Sequence, residues 1–312
     1  MQTKHPSYVK ASSVAHAVQL ATEYANSMFV AGGTDVYVNS QQGNVEASWL
    51  IDVSDLTDLQ SCSIHSGNMT LGSMMTLSDV IAHNDIQRYL PALQQAAQSV
   101  ATPVIRKTAT LGGNILCENR CFYYNQSEWW RESAGHCLKC HGDICFATGG
   151  RKNCFSKFVS DTAPVLIAYG ASVTLISDQG EECFPLEDLY SGDGVSSVSL
   201  SRKSLLTSIN IPLSTRVVVF KKLRPRKSLD FTSLTTAVSL DANGNLRIVI
   251  GGVDPKPVVV EGNLRSTNPE LLITMACKKP RVVENDFYSR PYRKSMIKLF
   301  IEDSIQHLVE RQ

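Results

Sequence analysis

The sequence predicts an α+β protein with two domains, and two observations support this. In the first part of the chain, segments with the 3.6-residue period of a helix alternate with short apolar strands. From Val217 onward the pattern changes to longer strands of alternating polarity, followed by polar helices. The change predicts a boundary near residues 213–216. We therefore expect a first domain over 1–213, with parts of about 1–55 and 56–213, and a second domain over 214–312.

Local signals predict the individual elements. Thr76 and Asp79 have the spacing of a capping box, so a helix should begin there. The Asn243-Gly244 pair favours a tight hairpin. Residues 117–156 show neither the helical nor the strand period of apolar residues, which predicts an ordered loop. The predicted helices are 12–26, 76–83, 86–100, one after Pro164, 269–277 and 292–310, and the predicted strands are 28–31, 49–53, 69–72, 172–177, 205–211, 235–241 and 246–251.

Charge and hydropathy exclude several classes of partner. The 30 Lys and Arg residues nearly balance the 29 Asp and Glu residues, for a net charge of +1. A chain without a field of one sign does not attract nucleic acid or an anionic membrane surface. The longest apolar-rich stretch, 163–176, is too short to span a bilayer, and the first residues lack the apolar core of a secretory signal. We therefore expect a soluble, cytoplasmic protein.

The cysteines are concentrated in residues 117–156, called here the cysteine segment. In a reducing compartment such a concentration indicates a metal or iron–sulfur site rather than disulfides. Zinc, with His136 and His141 as further candidate ligands, and a 4Fe–4S cluster both remain open from the spacing. The pair Trp129–Trp130 is expected to cover the segment. The cysteines of the segment are Cys117, Cys121, Cys137, Cys140, Cys145 and Cys154.

Two glycine pairs are candidates for binding phosphate. Gly32–Asp35, the first glycine segment, follows an apolar strand, and Gly112–Asn114, the second glycine segment, leads into the cysteine segment. Each places backbone N–H groups next to small polar side chains, as a phosphate requires. Neither matches the fingerprints of NAD-binding or ATP-binding loops, and each alone is more often a turn. The pair together is the stronger indication.

Four motifs in this order resemble the FAD-binding (medium) subunit of the xanthine oxidase family of molybdenum hydroxylases. They are Ala31–Asp35, Thr110–Asn114, Ser160–Pro164 and Phe220–Lys221. The resemblance covers almost the whole chain. It implies a two-part FAD-binding domain of the PCMH/vanillyl-alcohol-oxidase type. A small α+β domain with an antiparallel sheet, of the CO dehydrogenase flavoprotein C-terminal type, would follow.

The resemblance also implies a set of FAD-binding residues. Backbone N–H groups of the first glycine segment would hold the pyrophosphate, with the second glycine segment on its other side. An aspartate would hydrogen-bond the ribityl or isoalloxazine region, and a lysine would lie near the flavin ring. The implied residues are Ala31, Gly32, Gly33, Thr34, Asp35, Thr110, Gly112, Gly113, Asn114, Asp161 and Lys221.

The cysteine segment is most similar to the 4-hydroxybenzoyl-CoA reductase type of this family, whose beta subunit has an extra 4Fe–4S loop. Under this resemblance Cys117 and Cys140 are surplus, and each is a substitute if one assignment is wrong. The implied cluster ligands are Cys121, Cys137, Cys145 and Cys154.

The resemblance implies an oxidoreductase subunit that transfers electrons and has no catalytic residue of its own. It would work with a 2Fe–2S subunit and a molybdopterin subunit, as a dimer of heterotrimers, and with ferredoxin as donor. The main expectation is reductive dehydroxylation of an aromatic CoA thioester. The segment Gly251–Pro257 instead resembles xanthine dehydrogenase and aldehyde oxidoreductase-type hydroxylases, which are the alternative. A zinc-stabilised, non-enzymatic binding module is the alternative of another class.

Overall fold

The computed structural model describes residues 6–45, 47–213 and 216–310. Ser214 and Thr215, at the expected domain boundary, lie outside the described residues. The strands are β1 (Ser7–Lys10), β2 (Ser27–Val30), β3 (Trp49–Asp52), β4 (Cys62–His65), β5 (Asn68–Gly72), β6 (Ser172–Ser177), β7 (Gly180–Pro185), β8 (Leu205–Pro212), β9 (Val217–Leu223), β10 (Leu234–Leu240), β11 (Asn245–Gly251) and β12 (Val258–Asn263). The helices are α1 (Val14–Glu23), α2 (Val36–Gln41), α3 (Leu77–Ala82), α4 (Asn84–Tyr89), α5 (Pro91–Ser99), α6 (Pro103–Arg106), α7 (Leu111–Ile115), α8 (Glu128–Ala134), α9 (Thr162–Tyr169), α10 (Pro269–Lys278) and α11 (Arg290–Val309).

A small parallel sheet begins the fold. Its strand order is β1-β3-β2, with β3 in the centre paired in parallel to both neighbours. Ser13 is the N-cap residue of α1, and its side chain accepts a hydrogen bond from the backbone N–H of His16. The helix buries Ala17, Val18 and Ala21 against this sheet. The first glycine segment follows the carboxyl end of β2.

An antiparallel sheet with the order β4-β5-β8-β6-β7 forms the centre of the molecule. Its core includes Met69, Leu71, Ile209 and Ile211 from the central strands, together with apolar residues of α3, α5, α7 and α9. All of α9 is buried, which explains why its sequence is apolar around the whole helix. Helix α9 therefore lies inside the fold.

An antiparallel sheet with the order β12-β11-β10-β9 completes the fold. One face packs on α10 and α11, and the other packs on α9. Successive side chains of β9 point to opposite faces. Phe220 thus joins the central core, while Val219 and Leu223 join the core with α11.

Several local predictions are confirmed. Thr76 and Asp79 form the capping box of α3. The turn at Asn243 and Gly244 joins β10 to β11, with Gly244 in the left-handed region at a φ of 83°.

Three expectations were wrong. The helix predicted over 86–100 is two helices, because Pro91 starts a new helix as its first residue. The cysteine segment contains α8 and a 3₁₀ helix over Leu138–Cys140 rather than loop alone. Trp129 does not cover this segment, since 73% of it is exposed.

Among the described helices, none has both the length and the apolar composition needed to cross a bilayer.

Candidate functional site

The first glycine segment packs directly against the backbone that precedes the second. A Cβ atom added at Gly32 would lie 1.8 Å from the carbonyl oxygen of Thr108. Only glycine allows this approach. Gly33 has a φ of 67°, in the left-handed region, and a Cβ there would lie 2.2 Å from the Tyr37 ring. Close backbone contact therefore explains Gly32, and the left-handed conformation explains Gly33.

The first glycine segment also has backbone donors to offer. Within the described residues, the N–H groups of Gly32, Gly33 and Thr34 have no hydrogen-bond acceptor. Neighbouring backbone N–H groups in a tight loop form a concave surface that suits an anion such as a phosphate. This loop therefore has the donor set that a pyrophosphate needs.

The second glycine segment differs from the first, because protein atoms already accept its backbone N–H groups. The N–H of Gly112 donates to Ser73 O at 2.8 Å, and that of Gly113 donates to Thr110 Oγ1 at 3.1 Å. Gly112 also lies against Ser73, where a Cβ would approach to 2.9 Å. These residues hold α7 against the central sheet, and the free donors belong to the first glycine segment.

Asn114 connects α7 to the start of α9. Its Oδ1 accepts hydrogen bonds from Ser160 Oγ at 2.9 Å and from Thr162 Oγ1 at 2.7 Å. One side chain thus holds together the residues that lie just before and just after the cysteine segment.

Asp161, the second residue of the Ser160–Pro164 motif and the N-cap residue of α9, is fully engaged by the protein. Lys222 Nζ lies 2.6 Å from Asp161 Oδ2, and both side chains are 5% exposed. Thr235 Oγ1 donates to Asp161 Oδ1 at 3.3 Å. Burial raises the pKa of the Asp161 carboxyl, while Lys222 lowers that pKa. Asp161 therefore joins α9 to the second domain's sheet.

The structure places Lys221 away from Asp161. The Lys221 side chain pairs with Asp303 of α11, on the opposite face of β9. The lysine that reaches Asp161 is its neighbour Lys222, which the sequence reasoning missed. The basic run offered a signal, but the choice between adjacent lysines depends on which face of β9 meets α9.

The cysteine segment brings its thiols into proximity. Interaction with the neighbouring Cys154 lowers the pKa of the Cys145 thiol. Burial, together with the nearby Cys137 and Cys145, raises the pKa of the Cys121 thiol to about 11. Cys117 and Cys140 are only half-buried as residues, although burial of the Cys117 thiol raises its pKa, and Cys140 Sγ lies 3.3 Å from His136 Nδ1. The buried cysteines of the segment are Cys121, Cys137, Cys145 and Cys154.

Backbone contacts enclose Cys154. Its N–H donates to Asp193 Oδ1 at 3.0 Å, and its sulfur accepts the N–H of Ser156 at 3.4 Å. A Cβ at Gly194 would lie 2.8 Å from Cys154 Sγ. Among the residues described, no three His, Cys, Asp or Glu side chains lie close enough to hold a single metal ion. A cubane has a different requirement, since each of its four irons takes one thiolate at a separate corner.

The second domain's residues also hold the cysteine segment. Lys157 forms a buried ion pair with Asp286. Asn119 Nδ2 donates to Pro255 O at 2.9 Å, and Asn285 Nδ2 donates to Phe155 O at 2.6 Å. The segment is therefore fixed at both of its ends to the rest of the fold.

Comparison with known proteins gives one family match and several relatives. The model of the FAD binding domain in molybdopterin dehydrogenase matches residues 2–214. The xanthine dehydrogenase FAD-binding subunit of Escherichia coli O157:H7 is 28% identical over 261 residues, covering 81% of this chain and 75% of that protein. The aldehyde oxidoreductase FAD-binding subunit PaoB of Escherichia coli K12 is 26% identical over 265 residues, covering 81% of this chain and 83% of that protein.

One solved structure shows the same fold over the full length. Reconstituted CO dehydrogenase from Oligotropha carboxidovorans aligns with a TM-score of 0.78 at 18% identity and covers 99% of both chains. This likeness confirms the predicted fold class, an FAD-binding domain followed by a small α+β domain.

Proposed function

This chain belongs to the family of FAD-binding domains in molybdopterin dehydrogenase, and from that premise we propose that it relays electrons between FAD and partner subunits that act on the substrate. The chain is an FAD-binding oxidoreductase subunit of the molybdenum hydroxylase type. Its partners would be a molybdopterin subunit and a 2Fe–2S subunit. The proposal places substrate chemistry outside this chain, whose task is to bind and orient the flavin.

The proposal rests mainly on the backbone N–H groups at Gly32 and Gly33, which have no acceptor among the described residues. The N–H groups of Gly32, Gly33 and Thr34 would hold the pyrophosphate of FAD. When bound, FAD supplies both one-electron and two-electron transfer. The second glycine segment would position the first rather than donate to phosphate, because its own N–H groups are occupied.

The complex purified with its partner subunits tests the flavin assignment. We expect equimolar FAD per copy of this chain, identified by release in acid and chromatography against FMN and FAD standards. A complex without flavin, or one that carries FMN, would contradict the assignment, because the pyrophosphate is present only in FAD.

We favour electron flow from substrate to flavin. The segment Gly251–Pro257 resembles the hydroxylases, and the relatives from Escherichia coli are named for xanthine and for aldehyde oxidation. We therefore propose a heteroaromatic or aldehyde hydroxylase rather than a ferredoxin-driven reductase of an aromatic CoA thioester. Anaerobic mixing of the complex with xanthine or an aromatic aldehyde should bleach the flavin absorbance. Bleaching by reduced ferredoxin alone, with no response to either substrate, would favour the reductase.

We further propose that the cysteine segment binds a 4Fe–4S cluster through Cys121, Cys137, Cys145 and Cys154. Their burial and their mutual interactions support this set, whereas Cys140 is only half-buried. The cluster would supply one-electron transfer. The backbone N–H of Ser156, directed at Cys154 Sγ, would hydrogen-bond the liganding sulfur.

Replacing a ligand should remove iron. We expect Cys121→Ser and Cys154→Ser to lose most iron and acid-labile sulfide and to loosen residues 117–156, because a bound metal contributes to the order of its loop. Cys183→Ala is the matched control, since Cys183 is exposed on β7 and should retain full iron. Full iron and sulfide in both serine variants would refute the ligand set. A zinc-stabilised module would instead contain zinc and no sulfide.

A further inference from the structure

Asp35 connects the first glycine segment to the cysteine segment. It is the N-cap residue of α2, but its side chain makes no capping hydrogen bond there. Instead, Asp35 Oδ2 accepts the backbone N–H of Glu118 at 3.2 Å, and the Asp35 carboxylate forms an ion pair with Arg120. The carboxylate thus binds another segment rather than its own helix.

The ion pair is well placed to transmit a constraint. The Arg120 side chain is only 11% exposed, and the guanidinium also lies over the ring of Phe231, 4.7 Å from its centroid. Arg120 directly precedes Cys121, one of the proposed ligands. A pair shielded in this way is less weakened by solvent than an exposed one.

Helix α2 makes more contacts with the same part of the cysteine segment. Arg131 of α8 donates to Gln42 O at 2.6 Å, just after α2 ends. The same side chain donates to Gln126 O at 2.6 Å and is 3% exposed. Residues 118–131, which include Cys121, are therefore attached to the helix that the first glycine segment begins.

We propose that Asp35 is a positioning residue that makes flavin binding and cluster binding depend on each other. This inference rests on the proposed cluster. A cluster that orders residues 118–131 would hold Asp35 through Arg120 and the Glu118 N–H. Asp35 then holds the backbone of Gly32, Gly33 and Thr34 in the arrangement that binds pyrophosphate. By linkage, bound FAD must stabilise the cluster to the same extent.

The test measures the dissociation constant for FAD by fluorescence titration of the full-length chain, with the cluster present and after removal of iron by a chelator. We expect FAD to bind about 5-fold or more weakly without the cluster. In Arg120→Met and in Asp35→Asn the two constants should be nearly equal. Lys298→Met removes an exposed pair on α11 and should retain the wild-type ratio.

The ratio separates coupling from a merely structural role, which would weaken FAD binding equally in both states. An unchanged ratio in the cluster-containing variants would overturn the inference. If Arg120→Met loses its cluster, Asp35→Asn still retains an acceptor for the Glu118 N–H.

The wild-type chain provides an independent measurement. Added FAD should raise the equilibrium chelator concentration at which half of the iron is lost, and no rise would overturn the coupling while leaving the cluster in place. A chain without iron and sulfide would overturn both the cluster and the coupling.

Discussion

Lys222→Met is expected to lower the free energy of unfolding by about 3–5 kcal/mol, because it leaves the buried Asp161 carboxylate without its cation. Both side chains of the pair are 5% exposed, so water cannot replace Lys222. Lys222 Nζ also donates to Ser99 O at 3.0 Å, and that contact is lost as well. Denaturant unfolding of the full-length chain measures the effect.

The loss should depend on pH in a defined direction. Burial already raises the pKa of the Asp161 carboxyl, and removal of Lys222 removes the group that lowers this pKa. Asp161 in the folded variant can therefore take up a proton as the pH falls. A group whose folded pKa is raised stabilises the fold at low pH and loses that contribution as the pH rises. The variant should thus be closest to wild type in acidic buffer.

Two variants serve as controls for this prediction. The double variant Asp161→Asn with Lys222→Met should recover much of the lost stability, because no buried charge remains. Lys298→Met interrupts an exposed pair and should change stability by no more than about 0.5 kcal/mol. A Lys222→Met protein as stable as this control would show that the Asp161–Lys222 pair contributes little.

Gly32→Ala is expected to reduce flavin affinity by about 5- to 150-fold, which corresponds to a penalty of about 1–3 kcal/mol for overpacking. The added Cβ would lie 1.8 Å from Thr108 O, a backbone atom that cannot rotate away. The first glycine segment must therefore move away from Thr108. Fluorescence titration with FAD measures the loss.

Gly67→Ala is the matched control. Gly67 has a φ of 77° in the exposed β4–β5 turn, and nothing lies within 4 Å of its Cβ position. The left-handed conformation should cost about 1–2 kcal/mol of stability, but FAD affinity should be unchanged. Equal loss of flavin in both variants would mean that general destabilisation, rather than the contact with Thr108, explains the effect.

Local signals in the sequence predicted local structure well. The capping box at Thr76 and Asp79 and the turn at Asn243 and Gly244 depend only on residues within a few positions of each other. The break at Pro91 was also visible locally. The apolar spacing over 86–100 predicts one continuous helix, but a proline commonly begins a helix, and Pro91 does so here.

The residues that form the site were harder to predict from the sequence, because contacts between distant segments determine them. The two glycine segments have similar sequences, but Ser73 and Thr110 accept the N–H groups of Gly112 and Gly113, whereas those of Gly32 and Gly33 have no acceptor among the described residues. Likewise, Lys221 and Lys222 are equivalent in sequence, and only the packing of β9 between α9 and α11 separates their roles. Motif recognition identified the segments, while long-range pairing assigns the tasks within them.

The contact of Asn114 with Ser160 and Thr162 has an evolutionary consequence. Because this side chain joins the residues on either side of the cysteine segment, a short turn could replace that segment without separating α7 from α9. The entropic cost of closing a loop grows only slowly with the length of the loop. If the cysteine segment binds the proposed cluster, it could therefore be gained or deleted as a unit, which would add or remove a redox centre while α7 and α9 stay joined.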